Sequence, residues 1–314
     1  MKAVVYEKNG SEIPFIYREI DVPKPKDNEV LIKVDAVSLN ANDYRLFRMG
    51  VGVPKNRIFG NAFSGTVAEV GKNAQTFQVG DSVVADTSDA GFGGMAEFAV
   101  APETAVVKKP ADVTDVDASA LPVAALTALQ ALRVAGGVSA GHSVLINGAS
   151  GGVGPYAVQL AKASGAVVTA VCSTKNLDMV RSLGADIVVD YTKEDITKSG
   201  KQFDYIVAVN GYHPLSAYKR ILALHGTYVM VGGTFPQIIQ ALLFGPLFSI
   251  GTKKIRALAA KTNSKDLAYL LQLLADGKLK PVIDKIYPLS EGAAAFMYIE
   301  SGHARGKVIM QVDK

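Results

Sequence analysis

Ser143-Val144-Leu145-Ile146-Asn147-Gly148-Ala149-Ser150-Gly151-Gly152-Val153-Gly154 carries the most specific pattern in the sequence. A short apolar run reads as a buried strand. A glycine cluster follows it, and residues 153–164 read as a helix, with Pro155 tolerable in its first turn and Gly165 stopping it. Strand, tight loop and helix in that order form the sequence pattern of a dinucleotide site. The helix N-terminus supplies unpaired N–H groups and a partial positive charge to a pyrophosphate. Gly151 would let the backbone approach that ligand, and Gly154 would let the helix pack on the sheet. Ala149 stands where a strict G-x-G-x-x-G has its first glycine, so the loop by itself also fits an ordinary tight turn.

Downstream the alternation continues. Strands are predicted over 167–171, 187–189, 203–209, 227–231 and 255–258, with helices over 176–183 and 215–224. Six apolar strands with helical crossovers describe a doubly wound parallel sheet, an α/β fold of the Rossmann type. Upstream the chain reads as β. Short apolar runs at 30–37, 64–70, 82–85 and 96–100 are separated by turn signals such as Gly71-Lys72-Asn73 and Val79-Gly80-Asp81. Residues 118–135 read as one helix. A last helix over 265–275 precedes strands over 282–287 and 307–312 that read like the N-terminal region. The expected organisation is a parallel-sheet domain over 121–260, inserted into a mainly β domain made of 1–120 and 261–314.

Bulk properties exclude several classes. The 314 residues carry a formal charge of +4, with the basic residues scattered, which speaks against a nucleic-acid partner. Cys172 is the one cysteine, so no intrachain disulfide can form. With only His142, His213, His225 and His303 beside it, widely spaced, the usual zinc clusters are excluded and no metal is expected. The N-terminus runs straight into a strand and reads as neither a signal peptide nor a transit segment. The expectation is a cytoplasmic protein. The most hydrophobic stretch, 238–250, is too short to span a membrane and is broken by Gly245-Pro246. It is expected to be buried, to line a pocket for an apolar substrate, or to form a dimer contact.

The end of the second strand of the parallel sheet bears on the cofactor. NAD sites place Asp or Glu there, on the ribose 2′-hydroxyl. This chain has Cys172-Ser173-Thr174-Lys175-Asn176. Ser173 as hydrogen-bond donor and Lys175 as charge partner suit a 2′-phosphate, which favours NADPH. Tyr191 would cover the adenosine end. Asn210-Gly211 and Gly232-Gly233 follow the fourth and fifth strands, where backbone contacts to ribose and nicotinamide are expected.

Four further segments are Val37-Ser38-Leu39-Asn40-Ala41-Asn42-Asp43-Tyr44, Leu121-Pro122-Val123-Ala124-Ala125-Leu126-Thr127-Ala128, Leu183-Gly184-Ala185-Asp186 and Gly302-His303-Ala304-Arg305-Gly306-Lys307-Val308. Together they resemble the medium-chain dehydrogenase/reductase superfamily, in its zinc-free, quinone oxidoreductase-like branch, and especially its chloroplast-envelope and enone-reductase members. The resemblance spans essentially the whole chain. It implies a GroES-like catalytic domain, a Rossmann cofactor domain and a homodimer. It also implies that Asn40, Asp43 and Tyr44 lie near nicotinamide and substrate, with Asn40 and Tyr44 as the catalytic contacts. Thr127 would lie near the nicotinamide ribose, Ser150, Gly151, Gly152 and Val153 on the pyrophosphate, and Arg305 and Lys307 near the cofactor.

Zinc-dependent alcohol dehydrogenases of the superfamily place Cys in the first of these segments and Gly-His-Glu further on. Here Asn40 and Gly60-Asn61-Ala62 stand instead. Without a Lewis acid, alcohol chemistry is disfavoured. The expectation is hydride transfer from NADPH to a small apolar electrophile: a quinone, an enone or a 2-alkenal. A short-chain dehydrogenase would need Tyr-x-x-x-Lys, and no tyrosine here has Lys four residues on. The alternative is a non-catalytic NADPH-binding protein for redox sensing or assembly, distinguished by an absence of turnover.

Overall fold

Strand β1 (Lys2–Tyr6) pairs antiparallel with β2 (Phe15–Glu19) in a small sheet of its own. The computed structural model describes residues 1–7, 14–44, 53–211, 213–233, 240, 245, 249 and 251–312. It divides into two compact units, Met1–Leu126 with Lys261–Lys314, and Thr127–Ala260.

The larger sheet of the first unit is built on β3 (Glu29–Leu39), whose long run of Val, Leu and Ile is buried on most positions. Beyond it lie β4 (Ala62–Val70), β5 (Ser82–Asp86), β6 (Phe98–Pro102) and β7 (Val106–Lys108). β3 pairs antiparallel with both β4 and β6, and β4 with β5. Aromatic rings fill the core: Phe15 stacks on Phe296 at 4.1 Å between centroids, and both meet Phe59 at 5.8 Å. Such pairs add to the area they bury.

In the second unit, β8 (Ser143–Asn147), β9 (Val167–Cys172), β10 (Ile187–Asp190), β11 (Phe203–Ala208), β12 (Leu222–Met230) and β13 (Lys254–Ala257) form one parallel sheet. Its order is β10-β9-β8-β11-β12-β13. Order reverses between β8 and β11, and ligands bind at such a switch point, beyond the carboxyl ends of the strands. The helix Gly154–Ala163 starts with Pro155 in its first turn and stops at Gly165, in left-handed backbone at φ 78°. The last strands, β14 (Ile283–Pro288) and β15 (Lys307–Gln311), return to the first unit, where β15 pairs antiparallel with β3.

Local differences from the sequence expectation have identifiable causes. The helix expected over 118–135 is two helices, Asp115–Ser119 and Ala124–Arg133. Pro122 disfavours helical backbone at Leu121, and Val123 takes φ 65°. The helix expected over 215–224 ends at Ile221, and β12 begins at once with His225 at φ 63° inside it. Strand β2 and the helix Gly292–Glu300 have no counterpart in the sequence reading. The stretch 238–250 lies outside the described residues, apart from Gln240, Gly245 and Ser249.

Candidate active site

Two groups of polar residues are built, one in each unit. In the second unit the glycine loop leaves β8 and enters the helix Gly154–Ala163. A Cβ at Gly154 would stand 2.3 Å from the Gly148 carbonyl oxygen, so glycine is needed there for helix and strand to approach. A Cβ at Gly151 would meet only that same oxygen, at 4.0 Å, so the backbone face at Gly151 is open. Val153, the residue before the helix, makes no side-chain cap.

The turn after β9 closes on this loop. Asn176 Nδ2 donates to Ser150 Oγ at 2.9 Å and to Ser173 Oγ at 3.2 Å. Its Oδ1 is buried and has no hydrogen-bond partner among the described residues. An open backbone cradle beside an unmatched acceptor fits a dinucleotide, whose ribose hydroxyls are donors. Lys175 stands exposed in the same turn, and Tyr191, 62 % exposed, follows β10. Asn210 and Gly211 follow β11 and touch the loop: the Asn210 N–H donates to the Asn147 carbonyl at 3.2 Å, and Asn147 Nδ2 donates to the Gly211 carbonyl at 3.4 Å. Gly232 and Gly233 follow β12, with the Gly232 N–H on the Ala208 carbonyl at 3.4 Å. Thr127 is buried in the helix Ala124–Arg133.

Sequence reasoning saw no acid at the end of β9. The structure brings one from the end of β10. Asp190 accepts from Thr174 Oγ1 at 2.5 Å, and from the Thr192 N–H and Oγ1 at 3.0 and 2.7 Å. The hydrogen bond from Thr174, helped by those from Thr192, holds its carboxyl below the usual range. Cys172, buried beneath this turn, has its thiol pushed up to about 11 by burial and by the Asp190 charge, which leaves it unreactive.

In the first unit, β3 ends at Leu39 and the chain turns through Asn40. Asp43 is fully buried and clamps this turn: its carboxylate accepts from the Asn40 N–H at 2.7 Å and the Gly60 N–H at 3.1 Å. Burial pushes its pKa up to about 6, against those two N–H donors and the Lys307 charge. Asn40 Nδ2 donates to the Ser38 carbonyl at 3.2 Å and to Asn61 Oδ1 at 3.1 Å. Asn61 Nδ2 donates to Ser88 Oγ at 2.9 Å, and Ser88 Oγ donates to Asp86 at 2.6 Å. From β15, Lys307 Nζ donates to Asn40 Oδ1 at 2.5 Å and to the Leu39 carbonyl at 3.0 Å. Tyr44 is half-buried against the same core.

The two asparagines therefore meet where the zinc-dependent members carry Cys and His. They bond to each other, and among the described residues no group of three or more His, Cys, Asp or Glu could hold a metal ion. Lys307, expected beside the cofactor, is joined to Asn40. Arg305 is not drawn into this cluster. It is exposed, and its N–H donates to Asp284 at 2.9 Å. Asn61, Ser88 and Asp86 were not among the expected site residues. Asn61 was visible only as a departure from Gly-His-Glu, and nothing in the sequence ties Ser88 to it.

Comparison with known proteins agrees with this geometry. Residues 26–111 match the alcohol dehydrogenase GroES-like domain family, and residues 183–310 match the family described as zinc-binding dehydrogenase. The chloroplast envelope quinone oxidoreductase homolog of Arabidopsis thaliana is 38 % identical, over 99 % of this chain and 98 % of its own length. The chloroplastic NADPH-dependent alkenal/one oxidoreductase of Arabidopsis thaliana is 32 % identical, over 99 % of this chain and 79 % of its own. The solved structure of the quinone oxidoreductase from Coxiella burnetii superposes with a TM-score of 0.89 at 29 % identity, over 100 % of this chain and 99 % of that one.

These relatives correct the cytoplasmic expectation. Further relatives also carry chloroplastic or mitochondrial in their names, and together they point to an organelle. A single cysteine reports on disulfide use, not on address. No described helix is long and apolar enough to cross a membrane. Motifs, sheet order, the paired asparagines and the relatives agree, and the chain belongs to the medium-chain dehydrogenase/reductase superfamily, in its zinc-free, quinone oxidoreductase-like branch.

Proposed function

We propose that this protein reduces quinones, or the C=C bond of α,β-unsaturated carbonyls, with NADPH and without a metal. The observation that carries the reading is the Asn40–Asn61 pair, which replaces the ligands of an alcohol-activating zinc with two amides bonded to each other. A quinone or enone is already electrophilic and needs no Lewis acid. It needs orientation, exclusion of water and stabilisation of the charge that moves onto oxygen. The NADPH-dependent alkenal/one oxidoreductase among the relatives supports this chemistry.

Bound at the glycine loop, NADPH supplies the hydride. Ser150, Gly151, Gly152 and Val153 receive the pyrophosphate on the open backbone face at Gly151. Ser173 and Lys175 take the 2′-phosphate, and Tyr191 covers the adenosine. Asn210, Gly211, Gly232 and Gly233 hold the ribose and nicotinamide through the carboxyl edge of the sheet, and Thr127 is a further contact to the nicotinamide ribose. Both oxygens of Asp190 already accept, from Thr174 and Thr192, and are not free to take the ribose hydroxyls as an NAD-site acid would.

On the substrate side Tyr44 is the candidate donor to the oxygen that becomes an enolate or hydroquinone. Both amide hydrogens of Asn40 are committed to Ser38 and Asn61, so Asn40 holds its neighbours in place. The protein is taken as a homodimer with no nucleic-acid partner. The exposed edge strand β13 and the scattered charge support that reading. The test is NADPH oxidation against a panel of 2-alkenals, enones and quinones, before and after dialysis against a chelator. Turnover that survives the chelator is expected. Tight NADPH binding with no consumption favours the sensing or assembly alternative and removes the enzyme reading.

A further inference from the structure

The first unit holds a buried cation that the reduction described above does not use. Lys307 is 2 % exposed, and both its hydrogen-bond acceptors, the Leu39 carbonyl and Asn40 Oδ1, are neutral. Removing an ammonium from water onto neutral acceptors is costly, and a fold that does so has a use for the charge or for the proton. The position is informative. Lys307 donates to the very asparagine that stands where zinc-dependent members have a cysteine ligand.

A chain of donors runs on from it in one direction. Lys307 Nζ donates to Asn40, Asn40 Nδ2 to Asn61, Asn61 Nδ2 to Ser88, and Ser88 Oγ to the buried carboxylate of Asp86. Each bond polarises the next, so a cation at one end and an anion at the other align every dipole between them. Reversing either amide would set donor against donor, so the lysine also fixes the orientation of both asparagines.

We propose that Lys307 is a positioning residue for this reduction: its ammonium fixes the orientation of Asn40 and Asn61 and adds a buried positive charge where a zinc ion sits elsewhere in the superfamily. The inference rests on the function proposed above. The charge acts when hydride has added to the β-carbon and the electron pair has moved to oxygen. At that moment the substrate is an anion, and a fixed cation in a water-poor site stabilises it without reorganising. Solvent then supplies the proton that completes the product, and Lys307 ends as it began.

The charge can be switched by pH. Burial lowers the Lys307 pKa to about 7, opposed by the Asp43 charge. The other charged groups nearby are engaged elsewhere: Asp284 on β14 accepts from Tyr298 and Arg305, Lys285 lies over the Tyr298 ring, and Asp115 pairs with Lys109. The wild type should therefore lose kcat/KM as pH rises through Lys307's titration, because the cation is present below it and absent above.

Three proteins test this: wild type, Lys307→Met and Lys307→Arg. Methionine keeps most of the volume and removes the charge. It should cost about a hundredfold in kcat/KM with an enone, and the remaining rate should no longer fall through neutral pH. Arginine stays charged at every working pH. It should recover most of the rate and hold it to high pH. If Lys307→Met lowers Tm while kcat/KM per folded enzyme and its pH profile match wild type, the lysine is structural and the proposal fails. A ¹⁵N titration of the Lys307 ammonium with NADPH bound reads the charge without turnover. A titration midpoint that coincides with the fall in wild-type kcat/KM supports the proposal, and a fall in kcat/KM with no change in the charge of Lys307 overturns it. Absence of wild-type turnover overturns the proposed reduction, a different result from a rate that ignores the charge of Lys307.

Discussion

Asn40 commits every polar atom of its side chain inside the protein, to Lys307, Ser38 and Asn61. At the scale of single residues this separates shaping a site from acting in it. A residue picked from a motif can hold its neighbours in place without offering a free polar atom of its own. Asn40 itself was legible in the sequence because it replaces a cysteine in a motif segment. Its partners were not, since Asn61 lies 21 positions away and Lys307 267 positions away, and only folding brings them together. Lys175 belongs to this scale too. It is exposed in the turn after β9, next to Ser173 and Asn176. A hydrogen bond to a charged group contributes about 1.5–3 kcal/mol. Lys175→Ala should therefore lower the ratio of kcat/KM for NADPH to that for NADH by roughly ten- to a hundredfold. An unchanged ratio would remove Lys175 from the 2′-phosphate site.

At the scale of elements, the loop between β8 and the helix Gly154–Ala163 uses two glycines for two different reasons, and substitution separates them. Gly154→Ala drives a Cβ to 2.3 Å from the Gly148 carbonyl oxygen, against rigid backbone. It should lower Tm clearly even without cofactor, by overpacking worth about 1–3 kcal/mol or more. Gly151→Ala points a Cβ into open space. It should leave the Tm of the cofactor-free protein nearly unchanged and raise the Kd for NADPH, as read by fluorescence titration. Equal effects on Tm from both substitutions would contradict the assignment of Gly151 to the ligand face. The central parallel strands β8, β9 and β11 were legible because their apolar runs are short, buried and set off by glycines. The break at Leu121-Pro122-Val123 was hidden by the surrounding Ala and Leu, whose helix propensity is high on both sides of it. The helix Gly292–Glu300 was hidden differently. It is mostly Ala and aromatic residues with no polar face, so it shows no amphipathic period.

At the scale of the whole molecule, the chain-order split into 1–126 with 261–314 and an inserted 127–260 follows from where β15 goes. It pairs with β3 across the sequence, and in doing so carries Lys307 to Asn40. The insertion is thus what assembles the first unit's polar site from the two ends of the chain. Compartment is a property of this scale that composition does not carry. Among the relatives, chloroplastic and mitochondrial proteins share this architecture. In the proposed reaction hydride goes to carbon of an activated double bond, with no metal polarising a carbonyl. NADPH deuterated at the transferable C4 position, turned over with an acyclic enone and followed by NMR of the product, tests this. The expected product is a saturated ketone carrying deuterium at the β-carbon. An allylic alcohol carrying deuterium at the former carbonyl carbon would contradict it.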